Sequence, residues 1–95
     1  DKTTIRSIVD LNIDKVIRKV KELGFNYLID NSIRDHVAEV GFDEELGARP
    51  ILRAITHIVE DAFSEFLFTD NPAEGSTIEL KMHEDGDGYD ISVVK

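Results

Sequence analysis

Apolar residues recur every three or four positions through the first quarter of the chain. They are Ile5, Ile8, Val9, Ile13, Val16, Ile17, Val20 and Leu23. This spacing places them on one face of a helix, so we predict helix 1 over about residues 2–22. Asp1 or Thr3 is suited to cap the start of this helix, and Gly24 is suited to end it.

An aromatic and branched segment follows at residues 25–30, and its rough alternation favours a short strand. Asp30 or Asn31 then caps a second, shorter helix, which we predict over about residues 31–40. The apolar face of this helix consists of Ile33, Val37 and Val40. Gly41 stands where helices often end in a left-handed residue, so we expect a positive φ there.

A third and longer helix is predicted from about Pro50 to Thr69. Proline fits the first turn of a helix, where its missing amide costs nothing. The apolar face consists of Ile51, Leu52, Ile55, Ile58, Val59, Ala62, Phe63, Phe66 and Leu67. At 1.5 Å per residue the helix spans about 30 Å, so we expect it to be the central packing element. In the preceding connection at 41–47, Phe42 and Leu46 are expected to anchor the chain to the core.

The last quarter of the chain alternates between apolar and polar residues, which predicts two half-buried strands. The apolar positions are Ile78, Leu80 and Met82 in the first strand and Ile91 and Val93 in the second. Residues 84–88 join these strands through two glycines, so an antiparallel hairpin is expected. With the strand at 25–30, the hairpin forms a three-stranded sheet on one side of the three helices. The predicted fold class is α+β, in the order helix, strand, helix, helix, strand, strand.

The composition limits the classes of partner. The chain has 95 residues, enough for a single domain, with 20 acidic and 11 basic residues and a formal net charge of −9. Such a charge repels phosphate backbones and anionic membranes, so we expect neither nucleic acid nor membrane as a partner. The absence of cysteine fits a reducing, cytoplasmic location. Because the chain starts at Asp1 rather than methionine, we expect a piece of a longer protein.

No group of residues has the spacing of a metal site or of a complete active site. The acidic residues near the predicted hairpin tip are Asp85, Asp87 and Asp90. Tyr89 occupies the fifth position of this segment, where a calcium loop needs a ligand, so a solvated turn is the better interpretation. The histidines are His36, His57 and His83, and their spacing does not match a zinc site. The chain also lacks a glycine-rich phosphate loop.

Arg49 stands at the predicted start of helix 3, where the helix dipole disfavours a cation by up to about 1 kcal/mol. One compensation is an ion pair with Asp43, Glu44 or Glu45, which contributes little when it is exposed. The other is an anion bound by Arg49 together with the free amides of the helix start, because a guanidinium group matches phosphate oxygens in bidentate fashion. Physical reasoning leaves both interpretations open.

The segment Gly-Phe-Asp-Glu-Glu-Leu-Gly-Ala-Arg-Pro runs from Gly41 to Pro50, and Arg53 and the string Ile-Val-Glu-Asp at 58–61 follow it. This segment resembles the C-terminal small subdomain of the second ATPase module in Clp-type AAA+ proteins, the ClpA, ClpB and ClpC group. The opening helix and the closing hairpin also match, so the resemblance covers essentially the whole chain. It implies the α+β fold of the Clp-type small subdomain, which forms the lid of the ATP site.

The resemblance implies that Arg49 is the sensor-2 arginine, which contacts the terminal phosphates of ATP. Ala48 and Arg53 belong to the same nucleotide-binding motif, whereas Leu52 departs from it because relatives usually carry lysine or arginine there. The Walker motifs, the sensor-1 residue and the arginine finger lie outside these residues. ATP and Mg²⁺ are therefore expected to be bound mainly by the large subdomain, and the isolated chain is not expected to hydrolyse ATP.

The same resemblance implies that the parent is a homo-hexameric, ATP-dependent unfoldase or chaperone. Its small subdomain contacts its own large subdomain and the neighbouring subunit, and loss of the γ-phosphate relaxes the hinge between subdomains. Protein substrates and, in the protease-linked branch, a Clp-type peptidase are the other implied partners. The alternative is an acidic protein-interaction module that is independent of nucleotide. This alternative predicts that Arg49 is paired to a loop carboxylate.

Overall fold

The structure, a computed structural model, describes all residues from Asp1 to Lys95. Its elements are α1 (Lys2–Glu22), β1 (Asn26–Ile29), α2 (Asn31–Val40), α3 (Arg49–Ile55), a π-helical turn (Thr56–Glu60), α4 (Asp61–Asp70), β2 (Thr77–Met82) and β3 (Tyr89–Val93). The segment from α3 through the π-helical turn to α4 is the third predicted helix. The α+β fold class is confirmed, with three helical segments and one three-stranded sheet.

Helix α1 has the caps that its sequence predicts. The Asp1 carboxylate accepts a hydrogen bond from the backbone N–H of Thr4 at 2.9 Å. At the other end, Gly24 has φ +99°, a conformation that costs glycine little. The fully packed face consists of Val9, Ile13, Val16 and Val20. Leu23, the last residue of the predicted stripe, lies exposed beyond the end of the helix.

Helix α2 begins at the predicted cap and ends differently from the prediction. The Asp30 carboxylate accepts a hydrogen bond from the backbone N–H of Ser32 at 3.0 Å. The buried residues are Ile33 and Val37. Val40 is exposed, so its predicted place on the apolar face carries no packing role. The expected positive φ at Gly41 is wrong, since φ is −91° there, and glycine is needed instead because α3 passes close to it.

The sheet is mixed, with the strand order β1-β2-β3. Strand β1 pairs in parallel with β2, and β2 pairs antiparallel with β3, which confirms the predicted hairpin. The buried side chains on the helix-facing side are Tyr27, Ile29, Ile78 and Leu80. They join one cluster of sixteen buried apolar residues, so the chain has a hydrophobic core of its own. None of its helices combines the length and apolar character needed to cross a bilayer.

The prediction of one uniform helix from Pro50 to Thr69 is wrong in its middle, where the π-helical turn widens the backbone. Asp61 N–H donates there to the carbonyl of Thr56, five residues earlier. Buried residues before, within and after this turn recur every four positions, namely Ile51, Ile55, Val59 and Phe63. Four residues of an α-helix rotate by about 400°, which is about 40° more than one full turn, so side chains spaced four apart drift around the helix. The π-helical turn holds more residues per turn, which offsets this drift and keeps these side chains on the core side.

Tyr27 connects this turn to the sheet. Its hydroxyl donates a buried hydrogen bond to the backbone carbonyl of Val59 at 2.8 Å. The Tyr27 ring packs against the Phe63 ring with a centroid separation of 5.1 Å. The Phe25 ring packs edge-on to the Phe63 ring at 5.9 Å. Burial of the hydroxyl raises the pKa of Tyr27 well above its ordinary value of 10.0. The phenol therefore stays protonated as a hydrogen-bond donor.

Candidate functional site

The loop between α2 and α3 is ordered by Asp43. The Asp43 carboxylate accepts hydrogen bonds from the backbone N–H groups of Glu45 at 2.8 Å and Leu46 at 2.9 Å. Its backbone N–H donates to the Gly47 carbonyl at 3.2 Å, and the Gly47 N–H donates back at 2.6 Å. Gly47 has φ +68°, a region that other residues rarely adopt. Asp43 and Gly47 thus close a turn that delivers the chain into α3.

Gly41 fixes the position of α3 against α2. A Cβ atom at this position would lie 2.8 Å from the Cα of Ile51 and 2.7 Å from the carbonyl oxygen of Val37. Both neighbours are backbone atoms, and Ile51 is fully buried, so neither helix can yield easily. The close approach sets where α3 begins, and therefore where Arg49 projects.

Arg49 is the first residue of α3, and its side chain is exposed. It forms none of the ion pairs of the structure, and the arginine side-chain hydrogen bonds come from Arg6 and Arg34 alone. Asp43 is committed to the loop amides. The ion pair between Arg49 and a loop carboxylate, one of the two compensations left open by the sequence, is therefore not formed.

The backbone amides at the start of α3 are largely engaged within the chain. Arg49 N–H donates to the Leu46 carbonyl at 3.4 Å, Ile51 N–H donates to the Ala48 carbonyl at 3.0 Å, and Pro50 has no N–H. In the interpretation that Arg49 binds an anion, the N–H groups of Arg49 and Ile51 are therefore not free to join it. Ala48 is half-buried against the core and shapes the turn before α3. Arg49 has the one exposed cationic donor group of this turn.

Arg53 lies one helical turn after Arg49 and is likewise exposed and free of ion pairs. Residues four apart share a helix face, so the two guanidinium groups project from the same side of α3. Leu52 is also exposed. No three His, Asp or Glu residues cluster closely enough to hold a metal ion. The chain thus presents two exposed guanidinium groups on one side of α3.

Phe42 and Leu46 do not anchor the loop to the core, which corrects the sequence-based expectation. Their side chains are 45% and 53% exposed. The anchoring comes instead from Gly41 and Asp43, through close packing and local hydrogen bonds. Phe42 lines an open groove of about 730 Å³ between the start of α1 and the end of α2. The loop that leads to Arg49 therefore carries two exposed apolar side chains, those of Phe42 and Leu46.

An ion-pair network that sequence reasoning missed holds α1 and α2 together. Asp10 accepts from Arg6 at 3.1 Å and from Arg34 at 2.9 Å, and Arg6 also pairs with Asp35. Burial by itself would raise the pKa of Asp10, but the hydrogen bonds from Arg34 and Arg6 outweigh it and lower the pKa below 3.8. Asp10 and Arg34 are 24 residues apart, so only the helix packing brings these two side chains together.

Comparison with known proteins places this arrangement in a family. The sequence profile described as "C-terminal, D2-small domain, of ClpB protein" matches residues 1–80. The ATP-dependent Clp protease ATP-binding subunit ClpC of Staphylococcus aureus strain USA300 is 35% identical over 95 residues. The ClpC subunit of Staphylococcus saprophyticus is 36% identical over 93 residues.

Each of these two alignments covers 96% of the chain and 11% of the ClpC protein. The chain thus spans about one ninth of the length of these relatives. The profile match, in contrast, covers most of the chain, including the segment from Gly41 to Arg53. The resemblance implied by that segment is therefore confirmed, and the chain belongs to the family of C-terminal D2-small domains of ClpB.

Proposed function

We propose that this chain is the C-terminal lid subdomain of a Clp-type, ATP-dependent unfoldase or chaperone, with Arg49 as its sensor-2 contact to the terminal phosphates of ATP. The observation that carries the proposal is that the exposed Arg49 side chain, at the first residue of α3, has no carboxylate partner, although the chain has a net charge of −9. Arg53 adds a second guanidinium group on the same face. Two such groups fit the anionic oxygens of a triphosphate.

The rest of the nucleotide site lies in the large subdomain of the complete ATPase, which binds most of the ATP and the Mg²⁺. The chain supports this division, because it has no phosphate loop and no carboxylate cluster for a metal ion. Its own contribution is a charge-assisted hydrogen bond from Arg49 to the γ-phosphate. That bond draws α3, and the core packed on it, towards the large subdomain.

Hydrolysis and release of the γ-phosphate remove this bond, and the hinge between the subdomains relaxes. The domain transmits the change as a body, since α3 is packed against α2 at Gly41, and the π-helical turn that continues α3 is joined to β1 by Tyr27. The neighbouring subunit of a homo-hexamer then receives the motion and applies it to a protein substrate. In a protease-linked ring a Clp-type peptidase is a further partner, and the assembly works in the cytoplasm.

The exposed apolar side chains beside Arg49 support an interface at this end of the domain. Phe42 and Leu46 lie in the loop that precedes α3, and neither is packed against the buried core. Contact with the large subdomain of the same protein covers them when ATP is bound. This contact and the phosphate bond act on the same segment, so nucleotide and interface stabilise each other.

The experiment measures ATP hydrolysis by the complete ATPase that carries this chain, with Arg49→Ala compared with Arg18→Ala. Arg18 is an exposed arginine on α1 that also forms no ion pair, so it controls for the loss of one positive charge. We expect Arg49→Ala to lower the rate at saturating ATP by about 10- to 100-fold, the value of one charged hydrogen bond. Equal rates in the two variants would remove Arg49 from the site.

A further inference from the structure

Strand β3 forms one edge of the sheet, and its outer backbone groups have no partner. The pairing of Thr77 with Val94 and of His83 with Gly88 sets which β3 residues bond to β2. Because these bonds alternate along an antiparallel pair, Tyr89, Ile91 and Val93 direct their N–H and C=O groups away from β2. These groups make no other backbone hydrogen bond in the chain. The edge therefore offers six unused hydrogen-bonding groups.

A groove runs along this edge, between β3 and α4. It consists of two adjoining depressions of about 200 and 350 Å³, which share Phe66, Asp70 and Ile91 in their walls. The floor is apolar, because Phe66 is buried and Ile91 is half-buried. An edge strand beside a helix is the geometry in which domains bind extended peptides by adding a strand to their sheet.

The helical wall of the groove is acidic. Glu65 and Asp70 are exposed on α4 and form no ion pair. In an antiparallel addition, the residue opposite Ile91 would point to the same face as Ile91, towards α4. A lysine or arginine there lays its aliphatic stem on Ile91 and Phe66 and brings its charge to the carboxylates. The two carboxylates thus favour a cationic residue opposite Ile91, although Lys95 also lines one end of the groove.

We propose that the groove between β3 and α4 binds an extended basic peptide segment, which adds a fourth strand to the sheet with lysine or arginine at alternate positions. Glu65 and Asp70 lie 16 and 21 residues after Arg49 on one helical segment, about 24 to 30 Å away. The surface is therefore separate from the nucleotide motif, and the proposal does not depend on the role of Arg49.

The test titrates the ¹⁵N-labelled 95-residue chain with the peptide Thr-Lys-Thr-Lys-Thr-Lys-Thr and follows its amide resonances by NMR. We expect shifts confined to residues 62–70 and 89–93, with slower hydrogen exchange at the Tyr89, Ile91 and Val93 amides. A peptide of the same sequence with each lysine methylated at its backbone nitrogen keeps the charge but cannot donate to the outward carbonyls of Tyr89, Ile91 and Val93. It is expected to leave these resonances unchanged.

Charge-reversed variants separate the groove from general attraction to an acidic protein. Glu65→Lys with Asp70→Lys is expected to weaken peptide binding by about tenfold or more. The matched control, Glu44→Lys with Glu45→Lys, changes the net charge by the same amount in the exposed loop between α2 and α3. It is expected to weaken binding much less. The proposal would be overturned by equal losses in both variants or by equal binding of the N-methylated peptide. Shifts outside the groove, or no binding at millimolar peptide, would overturn it as well.

Discussion

The hydroxyl of Tyr27 donates to the backbone carbonyl of Val59 at 2.8 Å, and this bond joins β1 to the π-helical turn between α3 and α4. Both residues are buried, so the carbonyl has no access to water as a replacement partner. The helical segment that begins at Arg49 is thereby tied to the sheet at its widest turn.

Replacing Tyr27 with phenylalanine tests the strength of this bond. Tyr27→Phe keeps the ring packing against Phe63 but leaves the Val59 carbonyl buried without its donor. We expect a loss of about 1–2 kcal/mol in the free energy of unfolding, measured by urea denaturation of the 95-residue chain. Tyr89→Phe is the control, since the Tyr89 side chain is partly exposed, and we expect a change within about 0.5 kcal/mol. Similar losses in both variants would show that the bond to Val59 contributes nothing specific.

Gly41→Ala tests the contact between α2 and α3. The added methyl group meets the Cα of Ile51 at 2.8 Å and the Val37 carbonyl at 2.7 Å, so the two helices must move apart. We expect a loss of about 1–3 kcal/mol in the free energy of unfolding. Gly47→Asn is the comparison, because the space around Gly47 is open and asparagine tolerates its positive φ. If Gly41→Ala proves no more costly than Gly47→Asn, the close approach does not hold α3 in place.

The Asp10 network predicts a loss of stability in acid. The pKa of Asp10 is lower in the folded chain than its ordinary value of 3.8, because Arg34 and Arg6 bond to the carboxylate and outweigh the effect of burial. Its contribution to stability is therefore complete above about pH 4 and is lost as the pH falls through the lowered pKa. Asp10→Asn should flatten the dependence of the unfolding midpoint on pH below about pH 4.

The remaining acid dependence has a second source at the start of α2. Hydrogen bonds from the hydroxyl and the backbone N–H of Ser32 lower the pKa of Asp30.

The control for Asp10→Asn is Glu84→Gln, which also removes a single acidic group but lies on the exposed hairpin. A pH profile that is the same in Asp10→Asn and in the unaltered chain would contradict the role given to Asp10.

Local signals in the sequence were sufficient for most of the fold. The carboxylates of Asp1 and Asp30 cap their helices as predicted, because a cap depends on amides only two or three residues away. The alternation at β2 and β3 likewise identified the hairpin. The π-helical turn left a signal too, in the run of buried residues spaced four apart, but one uniform helix was the simpler interpretation of that spacing.

Features that depend on tertiary packing escaped the sequence. The sequence predicted that Gly41 ends α2 with a positive φ. In the structure a glycine is required there because the backbone of Ile51 leaves no space for a side chain. Phe42 and Leu46 looked like core residues, but apolar side chains also make up much of a protein surface. Arg49 has no ion pair with Asp43 because the Asp43 carboxylate accepts hydrogen bonds from nearby backbone amides. The spacing of residues in the sequence does not specify that geometry.

The central claim, that Arg49 detects the γ-phosphate, is tested most directly by nucleotide affinities in the complete ATPase. The measurement compares a slowly hydrolysed ATP analogue with ADP, in the unaltered protein and in Arg49→Ala. We predict that Arg49→Ala weakens binding of the ATP analogue by about tenfold or more and leaves ADP binding nearly unchanged, since only the analogue has the phosphate that Arg49 contacts. Equal weakening of both nucleotides, or of neither, would contradict the account.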